Sequence, residues 1–338
     1  MKYREEKNIS EQYKQKYLLG IEELIYKLEN QAVKKRNDIC RDIITDREKY
    51  IRVFSELLGW PLTEFPEEEH LNVIREVVSE EQSCIIERVQ LTVIDGIVMT
   101  GLLFRYPEEK VRPFVIVQHG AAGTPEFISG MYGDTYNYND IVDRIFRNGA
   151  NVFAPQLLIW SNEEYKTKYD RAMLDARLKN VGSSITALEI YSIMRSLDYF
   201  EKQNWVGNIG MAGLSYGGFY TLFTAALDTR VKAAISCSFF CDAMHYVTPD
   251  WSWRGISKWL GEAEIACLVH PRKLFLEMGK SDELFDYRKR QMEYERVWQI
   301  LKDNDKDWLE FTLFDGEHEF YKNDEHIEKM IAYLCSVK

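Results

Sequence analysis

The chain has 338 residues, 46% of them apolar and 29% charged, enough to bury the core of one large α/β domain with an appendage. Its net charge of −11 argues against nucleic acid or an anionic membrane as the main partner, because both favour basic surfaces. The charged start "MKYREEKNISEQYKQKY" lacks an apolar signal region, no run approaches a membrane span, and six scattered cysteines form no disulfide framework, so a cytoplasmic protein is expected.

Residues 1–80 are rich in Glu, Lys, Tyr and Leu. "IEELIYKLEN" and "DREKYIRVFSELLGW" carry apolar residues at helical spacing, which predicts a helical N-terminal section whose helices end near Pro61 to Pro66. From Cys84 the period changes. "CIIERVQLTV" and "IVMTGLLFRY" read as strands joined by a tight Asp95-Gly96 turn. "RPFVIVQHG" is a buried strand, "YNDIVDRIFRNGA" a helix with a glycine stop, and "NVFAPQL" another strand. A polar connection follows, then the helix "SITALEIYSIMRSLDYFEKQ", the strand "GNIGMAGLS" and the helix "GGFYTLFTAALD". "VKAAISCSFF", "RKLFLEMG" and "WLEFTLFDG" complete the strands, with "RKRQMEYERVWQILKD" and "DEHIEKMIAYLCSV" as helices. Strands alternating with helices predict an α/β fold, a mainly parallel central sheet with helices on both faces. Residues 81–338 form that domain, with insertions near 160–180 and 241–265. Cys237 and Cys241 flank "SFF" and read as buried apolar positions.

One stretch demands a chemical explanation. In "GMAGLSYGGFY", Ser215 ends a strand and opens a helix, with Gly213 two before it and Gly217 two after. Glycines there let the chain turn sharply, so the serine can stand at a strained apex above the sheet edge. The helix beginning at that point turns its N-terminal dipole and free N–H groups toward any developing oxyanion. A phosphate loop would want a lysine after the glycines, and Phe219 and Tyr220 follow instead.

A serine nucleophile needs a base, itself oriented by an acid, in the chain order Ser, Asp or Glu, His. His318, in "FDGEHEF", follows the last strand and is the expected base. His245 lies in an insertion, His270 precedes Pro271, and His326 sits on the final helix, so these read as structural or solvated. The expected acid is Asp282, in the loop after "LFLEMG", with Asp242 as its rival and Glu277 and Glu283 behind them. The oxyanion donors are expected at the N–H groups of Tyr216 and, in "QHGAAGTPEF", Ala121. His119 sits at a strand end before the serine, where bracing this loop is its expected role.

Together, "QHGAAG", "GLSYGGF", "GKSDELF" and "GEHEF" resemble the α/β-hydrolase superfamily over residues 82–338. Within it the chain is similar to dienelactone-hydrolase-like and acetyl-xylan-esterase-like serine esterases, which commonly carry a helical N-terminal section with a stretch like "FSELLGWPL" and a "PR" before the acid-bearing strand. "GLSYGGF" is also similar to the catalytic domain of prolyl-oligopeptidase-type peptidases. The resemblance implies a serine hydrolase that cleaves a small carboxylic ester through an acyl-enzyme, with an acylated carbohydrate as one substrate class. It implies no cofactor and no metal. A small peptidase and a non-catalytic binding protein remain the alternatives. Trp251, Trp253 and Trp259, in the insertion "CDAMHYVTPDWSWRGISKWL", either line a substrate pocket or pack the insertion onto the body. The apolar faces of the N-terminal helices must be buried against the body or a second subunit, which makes a homo-oligomer a further expectation.

Overall fold

The computed structural model describes residues 3–39, 42–63, 71–94, 96–161, 166–242, 244, 246, 248–301 and 307–337. Pro66, Asp95 and His245, all named from the sequence, lie outside them. Nine strands form one sheet among the described residues: β1 (Val73–Glu80), β2 (Ile85–Ile94), β3 (Ile97–Arg105), β4 (Arg112–Gln118), β5 (Asn151–Pro155), β6 (Val206–Leu214), β7 (Val231–Cys237), β8 (Lys273–Gly279) and β9 (Leu309–Phe314). Their spatial order is β1-β2-β3-β5-β4-β6-β7-β8-β9. β1, β2, β3 and β5 pair antiparallel, and from β5 to β9 every pairing is parallel.

The parallel strands are covered on both faces, which is why β4 and β5 read as unbroken apolar runs with no alternation. β2 alternates between buried and half-buried residues, as expected nearer an edge. One face carries α2 (Arg47–Leu58), α6 (Ile185–Phe200), α7 (Tyr216–Leu227), α8 (Glu262–Val269) and α9 (Tyr287–Leu301), whose apolar residues form the larger core cluster. The other face carries the short α3 (Pro125–Ile128), α4 (Ile141–Arg147) and α10 (Glu325–Ser336) over a second cluster. α5 (Arg171–Asn180) lies in the connection after β5, and Asp170 caps it by accepting from the Met173 N–H at 2.9 Å.

Three expectations change. The helices end at Leu58, close to the helical end expected near Pro61 to Pro66, but the section drawn to residue 80 also takes in an edge strand, Val73–Glu80, antiparallel to β2. Its run of β-branched residues wins once a partner strand is available, so the N-terminal section is shorter than the boundary at 80 implied. The insertion near 241–265 contains the start of α8, whose Gly261 N–H is capped by Glu264 at 2.8 Å. Finally, α1 (Lys7–Ile39) is not packed along its length. Among its described side chains only Ala32 and Arg36 are buried, and Tyr17, Leu24 and Leu28 are exposed.

Candidate active site

Parallel pairing aligns the strand ends that carry the singled-out residues. Gln118 pairs with Gly213, Leu214 with Cys237, and Gly279 with Phe314. The loops after β4, β6, β8 and β9 therefore share one sheet edge, where parallel α/β sheets present their sites.

Ser215 stands between β6 and α7 with φ 59° and ψ −122°, a backbone conformation that a side chain rarely adopts. The turn closes because nothing projects from its glycines. A Cβ on Gly213 would lie 2.4 Å from Gly217, and one on Gly217 would lie 2.0 Å from the Gln118 carbonyl. The serine is held by its own backbone. Its N–H donates to the Cys237 carbonyl at 2.9 Å, and its carbonyl accepts from Phe219 N–H at 2.9 Å, the first bond of α7.

Asp282 and His318 meet across the β8 and β9 loops, with Nδ1 of the imidazole 2.9 Å from Oδ2 of the carboxylate. The other oxygen, Oδ1, accepts from the N–H groups of Leu284 at 2.9 Å and Phe285 at 3.2 Å. Arg290, wholly buried on α9, lies 2.7 Å from Oδ2. Burial alone would push the Asp282 carboxyl up. The hydrogen bond and charge of His318 and the Arg290 guanidinium outweigh it and hold the pKa below the ordinary value. An ionised Asp282 requires the proton on Nδ1, so in the neutral ring Nε2 is free to accept one. Asn137 and Asn139 hold this loop from the opposite side, donating to the carbonyls of His318 at 3.0 Å and Phe320 at 2.7 Å. The structure joins His318 to Asp282. Among the described residues no hydrogen bond links the Ser215 hydroxyl to His318, a looseness common in unliganded sites.

The rival acids are occupied elsewhere. Asp242 accepts from the Met244 N–H at 3.0 Å, and Glu277 pairs with His326 at 2.9 Å in the buried seam between β8 and α10. Glu283 is exposed. His326 is thus structural and not solvated. His119 is fully buried. Its Nε2 accepts from Leu157 N–H at 3.0 Å, so Nδ1 must carry the proton, 2.9 Å from the Gly120 carbonyl. Burial drives its pKa down to about 4, keeping the ring neutral. It braces the loop holding Ala121. Neither the Ala121 N–H nor the Tyr216 N–H donates within the described residues, so both are available to an anionic oxygen.

A buried network behind the serine was not legible in the sequence. Arg171 lies 2.9 Å from Glu189 and 2.7 Å from Asp250, and donates to the Tyr220 hydroxyl at 2.7 Å. The Tyr216 hydroxyl donates to Asp250 at 3.0 Å. Tyr216, the residue after Ser215, is therefore anchored at both ends, by helix α7 and by this cluster. The one hint was Glu189, a carboxylate inside the otherwise apolar "ITALEIYSIM".

The three tryptophans divide. Trp251 packs on Tyr216 with ring centres 4.7 Å apart and on Phe285 at 6.3 Å, while Phe285 in turn meets the His318 ring at 5.8 Å. Trp253 is buried against Phe219 and Phe223, and Trp259 lies under Lys35 of α1. Cys237 and Cys241 are both buried, as their apolar flanks implied. Among the described residues no three His, Cys, Asp or Glu side chains are grouped as a metal site, and no helix is long and apolar enough to cross a membrane.

Known proteins share this architecture. The chain is 25% identical to YtaP of Bacillus subtilis (strain 168) over 241 residues, covering 66% of this chain and 78% of that one. Its fold is similar to a glucuronoyl esterase from Solibacter usitatus, with a TM-score of 0.61, 14% identity, and 85% and 91% of the two chains covered. It is also similar to acetyl xylan esterase 1 from Thermoanaerobacterium sp. JW/SL YS485, with a TM-score of 0.54, 13% identity, and 84% and 93% covered. The α/β-hydrolase fold expected from the motifs is thus the fold observed. The model of the dienelactone hydrolase family matches residues 101–327, more than half of the sequence and all of the loops described above, and the chain belongs to that family.

Proposed function

We propose that the protein is a serine carboxylic ester hydrolase. Ser215 attacks the ester carbonyl, His318 takes its proton through Nε2, and Asp282 fixes the imidazole and stabilises its charged form. The N–H groups of Tyr216 and Ala121 hold the oxyanion. The protonated His318 then gives its proton to the departing alcohol, and water activated by the same ring releases the acid and regenerates Ser215. The observation that carries this reading is the 2.9 Å pairing of His318 with Asp282 on the sheet edge where Ser215 holds its strained conformation.

The substrate we favour is a small ester, with an acylated carbohydrate as the leading class. Support comes from the names of the similar folds, a glucuronoyl esterase and an acetyl xylan esterase. Trp251, set among Tyr216, Phe219, Phe239 and Phe285, is the tryptophan we assign to the wall around the acyl or sugar part, whereas Trp253 and Trp259 pack the insertion onto the body.

The test pairs p-nitrophenyl esters with aminoacyl-p-nitroanilides and a fluorophosphonate probe. Ester turnover and labelling that disappears in Ser215→Ala are expected. Dominant anilide turnover would instead make the protein a peptidase, and absence of both turnover and labelling would make it a non-catalytic member of the fold.

A further inference from the structure

Beside the catalytic edge lies a second concavity of about 780 Å³. One face of α5 forms its floor, with Leu174 and Leu178 four residues apart and Val181 just past the helix end, and α6 faces it with Ile185 and Leu188. The start of β3 closes the far side. The rim is apolar and open to water: Val98 is 48% exposed, Leu158 45% and Val181 79%. That much apolar surface around a hollow of ligand size is unusual for an unoccupied face.

The hollow is separate from the catalytic cleft. Residues 156–159 stand between them, and their other side is bonded to the oxyanion loop, through Leu157 N–H to His119 at 3.0 Å and Ala122 N–H to the Ile159 carbonyl at 3.0 Å.

Its charge is equally specific. The one carboxylate in the lining, Glu189, is spent. Its oxygens accept from Arg171 at 3.1 and 2.9 Å and from Leu158 N–H at 2.9 Å, and it also bonds Tyr220. The one guanidinium in the lining, Arg177, is exposed and pairs with no carboxylate among the described residues. A protein of net charge −11 thus presents here an apolar trough with an exposed cation in its lining that no described carboxylate neutralises.

We propose that this groove binds an amphipathic carboxylate, an alkyl chain lying on the α5 and α6 leucines with its carboxylate at Arg177. A dozen methylene-sized groups fit well within 780 Å³, so a medium-chain carboxylate is a suitable probe of the trough.

The experiment titrates dodecanoate, below micelle formation, into the full-length protein by calorimetry. Saturable binding at one site is expected. Leu178→Trp fills the trough and should weaken binding at least about tenfold, while circular dichroism verifies that the variant is folded. Arg177→Gln should weaken dodecanoate on the order of threefold and leave dodecanol unaffected, as a single exposed charge contact allows. Fluorophosphonate-treated protein should bind dodecanoate as untreated protein does. The proposal is overturned if binding is not saturable, if Leu178→Trp leaves it intact, or if treatment at the serine abolishes it, which would place the carboxylate in the catalytic cleft. It is also overturned if the protein sediments as a dimer that Leu178→Glu dissociates, since a second copy would then cover the groove. The fluorophosphonate arm rests on the serine reactivity proposed above; the saturation, Leu178→Trp, Arg177→Gln and sedimentation outcomes do not, so they stand or fall apart from that reading.

Discussion

Arg290 and Asp282 form an ion pair of 2.7 Å with neither side chain exposed. The oxygen involved, Oδ2, also faces Nδ1 of His318, so a cation and an imidazole share one acceptor. We expect Arg290 to act as a positioning residue. The Asp282 pKa is depressed in the fold, so its contribution to stability is present above the ordinary carboxylate range and is lost as pH falls through the folded pKa. In Arg290→Met one depressing charge is gone, so the acid loss from Asp282 should be smaller and should be complete at a higher pH. Urea denaturation across a pH series checks this. An unshifted acid limb, with stability lowered equally at every pH, would reduce Arg290 to a packing role.

Asp282→Asn should lower ester turnover by about 10³- to 10⁴-fold, because an amide can neither demand the Nδ1 proton nor stabilise imidazolium. Asp242→Asn should retain most activity, since that side chain accepts from Met244 N–H. Turnover of both variants with one p-nitrophenyl ester decides the matter. The reverse pattern would move the acid to the end of β7.

His119 leaves a signature in stability. Its folded pKa of about 4 lies below the ordinary 6.5, so between these values the unfolded chain binds a proton that the folded protein refuses. Stability is therefore complete above about pH 6.5 and falls by up to about 3 kcal/mol toward pH 4. His119→Gln, which can still accept from Leu157 N–H, should flatten that slope. An identical slope in the variant would mean that other groups set it.

Arg171→Met should cost about 3–5 kcal/mol of unfolding free energy, because Glu189 and Asp250 would remain buried without their cation. Tyr216 would also lose the ordered partner of its hydroxyl, so kcat should fall with it while a Trp253→Phe control keeps its rate. A variant as stable as the parent would show that the carboxylates had found water or each other's proton.

Residues 1–30 include exposed Tyr17, Leu24 and Leu28 but not Arg36, which reaches Glu264 at 3.7 Å. Deleting them should change stability by no more than about 0.5 kcal/mol. We expect the truncated protein to elute later than its lost mass requires, because the exposed apolar residues of α1 are the surface that a second copy would cover. Elution in step with mass alone would remove α1 from that role.

Much of this molecule was decided locally. Unbroken apolar runs such as "RPFVIVQ" require a sheet buried on both faces, and spaced leucines and aromatics require helices. The elbow is local as well: Gly213, Ser215 and Gly217 act within one turn, so their spacing was sufficient to single them out. His318 and Asp282 were reachable because chain order in such a sheet restricts which loops share an edge.

What the sequence could not decide depends on contacts between distant segments. Val73–Glu80 has the β-branched residues of a strand but needed the ladder that β2 offers, a partner that its own sequence does not name. Arg171, Glu189, Tyr216 and Asp250 come from four separate elements, and Arg290 reaches Asp282 from α9; no spacing connects them. A buried charge is stabilised only by partners that the fold delivers, so its place becomes visible when those partners are assembled in three dimensions. The same holds for the tryptophans, alike in sequence and separated in space: folding left Trp251 beside Tyr216 and carried Trp259 under α1.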